Sequence, residues 1–497
     1  MKRRFPQMPK VISQDSLRMP GFLLTCLPMR AALLAVFLLP SVVASDKPSV
    51  LFLFADDQCH ETIRALGHTD IDTPNLDRLA ARGATFTHAC NMGSWLPAVC
   101  VASRTMLATG RTLWRANALH PDTDQERKAG RLWPQRMAQA GYETWFTGKW
   151  HVNTDAAKCF DHAANLRGGM PKDGVSHYHR PVEGVPDAWN PSDPKFGGFW
   201  EGGKHWSEVV ADDAVGFIER AATSEKPFFM YIAFNAPHDP RQSPQEYVDR
   251  YPLDRIALPE NFLPEYPHKD TIGCGPDLRD ERLAPFPRTE FAVKTHRREY
   301  YALISHLDAQ IGRILDALDA SGEAENTWIL FTADHGLAVG HHGLFGKQNL
   351  YEHSLRVPFL VNGPGVEPGA RIATPIYLQD AMATALEIAG EPSDCVEFRS
   401  VLPLLRGESA TAREAIYAAY LDLQRAVVHE GWKLILYPKA KVARLYHLAD
   451  DPLEQTDLAD DPAQTERTKA LFAKLRELQI EFDDPLDLSS AFPNLAP

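Results

Sequence analysis

The chain has 497 residues, 44% of them hydrophobic and 24% charged, with a formal net charge of −13. This is the composition of an ordinary soluble globular protein, long enough for a large core and two to four structural units. The acidic balance argues against nucleic acid as partner and means that an anionic ligand must be captured by a local basic pocket against the overall field.

Residues 1–44 read as an export signal. Arg30 precedes the apolar run Ala31 to Leu39, and Ser41-Val42-Val43-Ala44 offers small residues for cleavage before Ser45. The run is too short to span a bilayer, so no stable membrane span is expected. A lipid on Cys26 is disfavoured because the apolar run follows that Cys instead of preceding it. Residues 1–44 hold six Lys or Arg and one Asp, so without them the net charge falls to −18. The remaining Cys residues, Cys59, Cys90, Cys100, Cys159, Cys274 and Cys395, show no CxxC zinc spacing. No Asn-x-Ser/Thr acceptor occurs, since Asn190-Pro191-Ser192 is blocked by its Pro. The expected location is the bacterial periplasm or the exterior.

In chain order, Ser49 to Phe54 is a continuous apolar run of strand length, the pattern of a strand buried on both faces. Asp72-Thr73-Pro74 opens a helix with Leu76, Leu79 and Ala80 on one face, stopping at Gly83. Helix 132–140 precedes strand 143–147, helix 207–222 precedes strand 228–234, and a long helix from about 297 to 320 precedes strand 328–332. Residues 152–206 and 239–294 are rich in Pro, Gly, His and aromatic residues without periodicity, as long loops walling a pocket are. After a composition shift near Arg406-Gly407-Glu408 come four short strands, 415–420, 425–429, 432–437 and 444–447, then a helix over 463–479. The fold class is therefore α/β: a mostly parallel central sheet flanked by helices, with a smaller C-terminal antiparallel-sheet subdomain. The expected division is a catalytic domain over 45–410 and a subdomain over 411–497.

Each candidate chemical residue follows one of these strands: Asp56 and Asp57 the first, Lys149 and His151 the second, His238 the third, Asp334 and His335 the fourth. In open α/β sheets ligands bind outside the carboxyl ends of the strands, so four segments converge on one crevice. Adjacent carboxylates at a strand end repel each other unless a cation sits between them, although a solvated turn explains many such pairs.

Cys100-Val101-Ala102-Ser103-Arg104, followed by Thr105-Met106-Leu107-Ala108-Thr109-Gly110-Arg111, resembles the active-site signature of the type I sulfatases, members of the alkaline phosphatase superfamily. Ala102 stands where Pro is commonest. Gly148-Lys149-Trp150-His151, Pro237-His238, Asp334-His335-Gly336 and Gly346-Lys347-Gln348-Asn349-Leu350-Tyr351-Glu352 add to the resemblance, which spans about residues 48–455. The resemblance implies that Cys100 is oxidised to formylglycine by a sulfatase-maturing enzyme. It also implies that Asp56, Asp57, Asp334, His335 and the modified Cys100 hold one calcium ion in preference to magnesium, with His335 where Asn is frequent. Arg104 would hold the ligands in place, Lys149 and Lys347 would bind sulfate, His151 would take the proton that releases sulfate, and His238 would serve the departing alcohol. The implied activity is a sulfuric ester hydrolase acting on a sulfated saccharide, with a simple aryl or choline sulfate also open. Alternatives are a phosphonate monoester or phosphodiester hydrolase of the same superfamily, and a non-catalytic binder of sulfated glycans. His60, His68, His341, His342, Trp95 and Trp150 are candidate rim residues.

Tandem mass spectrometry of the tryptic peptide Gly83 to Arg104, from protein made with a sulfatase-maturing enzyme, is expected to show the aldehyde at position 100. An intact thiol beside a converted control sulfatase would contradict it.

Overall fold

The computed structural model describes residues 47–68, 70–171, 177–392, 394–409 and 413–495. The export signal over 1–44, the discounted Cys26 lipid site and the boundary at 410/411 lie outside the described residues.

The centre of the molecule is an eight-stranded sheet made of β1 (Ser49–Ala55), β2 (Ala84–Phe86), β3 (Glu143–Lys149), β4 (His162–Arg167), β5 (Phe228–Ala233), β6 (Thr327–Ala333), β7 (Phe359–Asn362) and β8 (Ala370–Ile372), in the order β8-β2-β7-β6-β1-β5-β3-β4. The run β6-β1-β5-β3-β4 is parallel throughout, and β7 alone runs against its neighbours. The sheet is thus mostly parallel, as the alternation of strands and helices requires. β1 sits in the middle with all seven residues buried, which is why its sequence is continuously apolar. Its Phe52 packs at 5.0 Å from Trp133 and edge-on at 4.8 Å from Tyr231, tying β1 to a covering helix and to β5.

The helices that flank the sheet include α1 (Pro74–Arg82), α2 (Val99–Thr109), α3 (Trp133–Gln139), α4 (Trp206–Ala221) and α5 (Glu290–Ser321). α5 starts seven residues before the expected Arg297, because Thr289 caps it by accepting a hydrogen bond from the Ala292 amide at 3.1 Å. α1 begins at Pro74 as expected, but Thr73 makes no side-chain cap. The buried Asp308 carboxylate of α5 does so from a distance, accepting from the Leu76 amide at 2.7 Å and the Asn75 amide at 3.1 Å. An Asp placed 230 residues downstream therefore satisfies the helix end that sequence assigns to a local residue.

The aperiodic stretch 152–206 contains β4, an edge strand whose residues alternate between half-buried and exposed, so no apolar run announces it. C-terminally, β9 (Ala415–Tyr420), β10 (Gln424–His429), β11 (Trp432–Tyr437) and β12 (Val442–His447) form an antiparallel meander covered by α6 (Thr465–Glu481). This smaller sheet has a fifth member, the pair Gly93–Ser94, which lies parallel to β9 through Ala419 and Tyr420. Gly93 has φ 92°, and a Cβ there would fall 1.9 Å from the Ala419 carbonyl oxygen, so only glycine lets the two backbones approach.

Asp308→Ala removes the distant cap and leaves two amides of α1 unpaired. It is expected to cost about 1–3 kcal/mol, read as a lower denaturation midpoint at unchanged slope. An unchanged midpoint would mean that solvent replaces the carboxylate.

Candidate active site

The crevice opens at the carboxyl ends of the four central strands. Asp56 and Asp57 leave β1, Lys149 ends β3, His238 follows β5 and Asp334 and His335 follow β6. Lys149 is thus the last residue of its strand instead of a loop residue. Gly148 has φ 97°, and a Cβ there would fall 1.8 Å from the Ala233 carbonyl oxygen, so the glycine lets β3 close on β5 next to Lys149, where the pairing of β3 with β4 shifts by one residue at Asn165. Asp57 and His151 hold left-handed backbone, with φ 70° and 54°, a conformation uncommon for residues with a Cβ.

Cys100 lies in the first turn of α2 and is buried. One turn on, Arg104 donates from Nε to Asp334 Oδ2 at 3.0 Å and from Nη1 to the Lys149 carbonyl at 2.7 Å, and lies 3.9 Å from Asp56 Oδ2. Its guanidinium also rests on the Phe54 ring at 4.7 Å. Lys149 Nζ donates to Asp56 Oδ2. Lys347 Nζ donates to both Asp57 oxygens, at 3.0 and 2.8 Å, and approaches His238 Nε2 at 2.9 Å. The three cations expected to form a basic pocket are therefore each paired with a carboxylate.

Donor atoms of Asp56, Cys100, Asp334 and His335 lie within 4.8 Å of one another, as do those of Asp56, Asp57 and His238. His335 Nδ1 donates to the Gly336 carbonyl at 2.9 Å, which turns Nε2 toward Asp57 Oδ1 at 3.1 Å and Asp334 Oδ1 at 3.5 Å. Burial works against a charged His335, but Asp334 and Asp57 raise it to about 9. Burial and the neighbouring Asp56 push the Asp334 carboxyl up to about 6. Asp56 Oδ1 is buried without a hydrogen-bond partner. Crowded carboxylates, an imidazole nitrogen aimed at them and an orphaned oxygen fit a divalent cation, and the oxygen-rich donor set suits a hard one.

At position 100 the sulfur stands where the oxygen of an oxidised side chain would be. Burial raises the thiol, but the Lys149 and Lys347 ammonium groups, with hydrogen bonds from His151 and His238, hold it well below its usual range. The pocket therefore stabilises an anion at that point. Burial would lower His238, yet the Asp57 and Asp239 carboxylates raise it to about 10, and its Nδ1 donates to the Asp239 carbonyl at 2.8 Å. The ring presents Nε2 to the cleft.

That cleft, of about 340 Å³, is lined by Cys100, Lys149, His151, His238 and Lys347, and by Gly169 and Met170 from the first long loop and Leu278, Arg279 and Asp280 from the second. Both loops wall the pocket as expected, but no sequence motif marks Gly169, Met170, Leu278 or Arg279. Glu281 accepts from the Phe345 and Gly346 amides at 3.0 and 2.8 Å, and Asp280 accepts from Gln348 Nε2 at 2.8 Å, so the second loop clamps the Lys347 segment. Two adjacent acids in an aperiodic stretch, Asp280-Glu281, were the trace available.

The expected rim does not form. His341 bonds Asn261 and Glu61, His342 stacks on Tyr351 at 4.0 Å, and His68 bonds Tyr301. Trp150 packs on Phe160 and donates to the Thr154 carbonyl, His60 lines a separate depression with Arg356 and Arg371, and Trp95 lies near His120. None of them lines the cleft that holds Cys100.

Residues 48–391 match the sulfatase family, and residues 340–481 match the C-terminal region of N-sulphoglucosamine sulphohydrolase. The chain is 28% identical over 462 residues to a sulfatase of Formosa agariphila, covering 88% of each, and 27% identical over 487 residues to an arylsulfatase of Clostridium perfringens, covering 90% of this chain and 98% of that one. Among solved structures, one in complex with its substrate D-glucosamine-2-N,6-O-disulfate shares the fold with a TM-score of 0.69 at 23% identity, covering 88% of this chain and 99% of that one. A family match over more than two thirds of the sequence, meeting the strand-end cluster around Cys100, makes the chain a type I sulfatase of the alkaline phosphatase superfamily and a sulfuric ester hydrolase.

Proposed function

We propose that the chain removes sulfate from a sulfated saccharide, with formylglycine at position 100 and one calcium ion held by Asp56, Asp57, Asp334 and His335. The observation that carries the reading is the anion-stabilising point at Cys100, set between two ammonium groups and two histidines at the base of a sugar-sized cleft. Support for a saccharide comes from the related structure solved with a disulfated glucosamine. The sulfatase relatives leave phosphonate or phosphodiester hydrolysis with less support, and the grouping of Asp56, Cys100, Asp334 and His335 supports catalysis over a non-catalytic binder.

Asp56, Asp57, Asp334 and His335 would hold a cation able to offset sulfate charge and acidify a hydroxyl beside it, and a hydrated aldehyde at position 100 would supply that hydroxyl as nucleophile. The chain's own residues do the rest. Lys149 and Lys347 orient the sulfate and offset charge on its oxygens, Lys347 doing so beside the bridging oxygen. His238, held through Nδ1 by Asp239, gives its Nε2 proton to the departing alcohol. His151 accepts the hydroxyl proton whose loss releases sulfate. Arg104 fixes Asp56, Asp334 and the Lys149 backbone relative to one another.

Residues 1–44 would export the chain to the periplasm or beyond, residues 45–410 would form the catalytic domain and 411–497 the C-terminal subdomain. Among the described residues no helix is long and apolar enough to cross a membrane.

His238→Ala is expected to lower kcat on a saccharide sulfate by about 10²- to 10⁴-fold and to affect 4-methylumbelliferyl sulfate, with its good leaving group, far less. Equal losses on both would reassign the residue. Calcium at about a hundred times its Kd is expected to add roughly 2.7 kcal/mol of stability, seen as a raised Tm that chelation reverses and Asp334→Ala abolishes. A shift that persists in Asp334→Ala would place the ion elsewhere.

A further inference from the structure

The Lys and Arg side chains at and beneath the cleft divide into two kinds. Arg104, Lys149 and Lys347 are fully enclosed at its base, where their partners are Asp56, Asp57 and Asp334. Arg279 is different: its side chain is 35% exposed and lines the wall. It belongs to neither the cation's ligands nor the groups assigned to sulfate.

Its anchoring shows which edge it offers. Nε and Nη2 both donate to Asp280 Oδ1, at 2.7 and 2.5 Å, and that carboxylate is only 3% exposed. The acid is covered while the base is presented, so the wall shows a cation to an incoming ligand. With the Nε–Nη2 edge held by Asp280, the guanidinium cannot swing freely, and the other edge, Nη1 with the second Nη2 hydrogen, is left for a partner. Nη1 rests against the Met170 thioether, a weak acceptor that an oxygen anion displaces readily. Nη2 lies 3.4 Å from His238 Nε2 and 3.7 Å from Asp239 Oδ1.

Proximity to His238 fixes the side of the cleft. His238 serves the departing alcohol, so Arg279 faces the sugar and not the sulfate being removed. A planar cation held by one edge and open at the other matches a carboxylate or sulfate through two parallel hydrogen bonds. In a protein of net charge −13, a neutral sugar would need no such exposed cation beside its binding face.

We propose that Arg279 is a specificity residue that binds a second anionic group, a carboxylate or another sulfate, on the same saccharide that carries the sulfate to be removed. This rests on the saccharide reading above and narrows it to doubly anionic substrates.

The test compares kcat/KM for four substrates in the matured, calcium-loaded enzyme: 4-methylumbelliferyl sulfate, a monosulfated N-acetylhexosamine, a disulfated hexosamine and a sulfated hexuronic acid. Wild type is expected to favour at least one of the last two over the monosulfated sugar by on the order of 10- to 100-fold. Whether the disulfated sugar or the uronic acid gains identifies the anion. Arg279→Gln is expected to collapse that ratio toward one, and Arg279→Lys, which keeps charge but not the fork, to retain part of it. A wild-type ratio near one, or a ratio unchanged in Arg279→Gln, would overturn the assignment while hydrolysis of the aryl and monosulfated substrates leaves the saccharide reading standing. Calorimetry with the same saccharides on Cys100→Ser gives the ratio as Kd values, so the selectivity is still read if no sugar is turned over. Equal Kd values there would overturn it too.

Discussion

The site depends on one buried guanidinium. Arg104 reaches from α2 to three strand ends at once, meeting Asp334 after β6, the Lys149 carbonyl at the end of β3 and Asp56 after β1. A charge removed from water is tolerated only when its donors are met. Here Nε and Nη1 are met by groups that must themselves stay put for the chemistry, while Nη2 makes no hydrogen bond and faces Asp56 at 3.9 Å. The helix that carries Cys100 is thus located relative to the sheet by the same contact that orders the ligands, and the i to i+4 spacing from Cys100 to Arg104 is the spacing that turns both side chains to one face.

Around that anchor, charge is arranged in closely matched layers. Lys149 and Lys347 each lean on a carboxylate of the Asp56-Asp57 pair, while Asp334 and His335 lean on each other and on Asp57. The two ammonium groups each pair with an acid of the site. A divalent ion among the carboxylates would take over that duty and leave the lysines to the substrate. An acidic protein can therefore hold an anion-transforming site by enclosing Lys149, Lys347 and Arg104 together at the strand ends.

The sequence made the strand ends legible. β1, β3, β5 and β6 are central and buried, so their apolar runs stand out, and the polar residue that follows each is easy to see. The C-terminal meander and its helix were equally plain. What escaped was whatever depends on partners far along the chain. β4 is an edge strand with mixed burial, and β2 and β8 have three residues each, too few to show a period. Asp308 caps a helix from another element, and Arg279, Asp280 and Glu281 reach the site from an irregular loop whose course no local pattern records. The His and Trp residues suggested as a rim failed for the converse reason. Their chemistry suits a sugar, but His341, His342 and His68 have neighbours that already satisfy them.

The two-residue strand Gly93–Ser94 joins the C-terminal meander six residues before Cys100. Its partner β9 is more than three hundred residues further along the chain. The segment leading into α2 is thus paired with a strand near the other end of the chain, and the surroundings of Cys100, which is only 3% exposed, include a contact of long sequence separation, the kind that forms slowly because a long loop must close first.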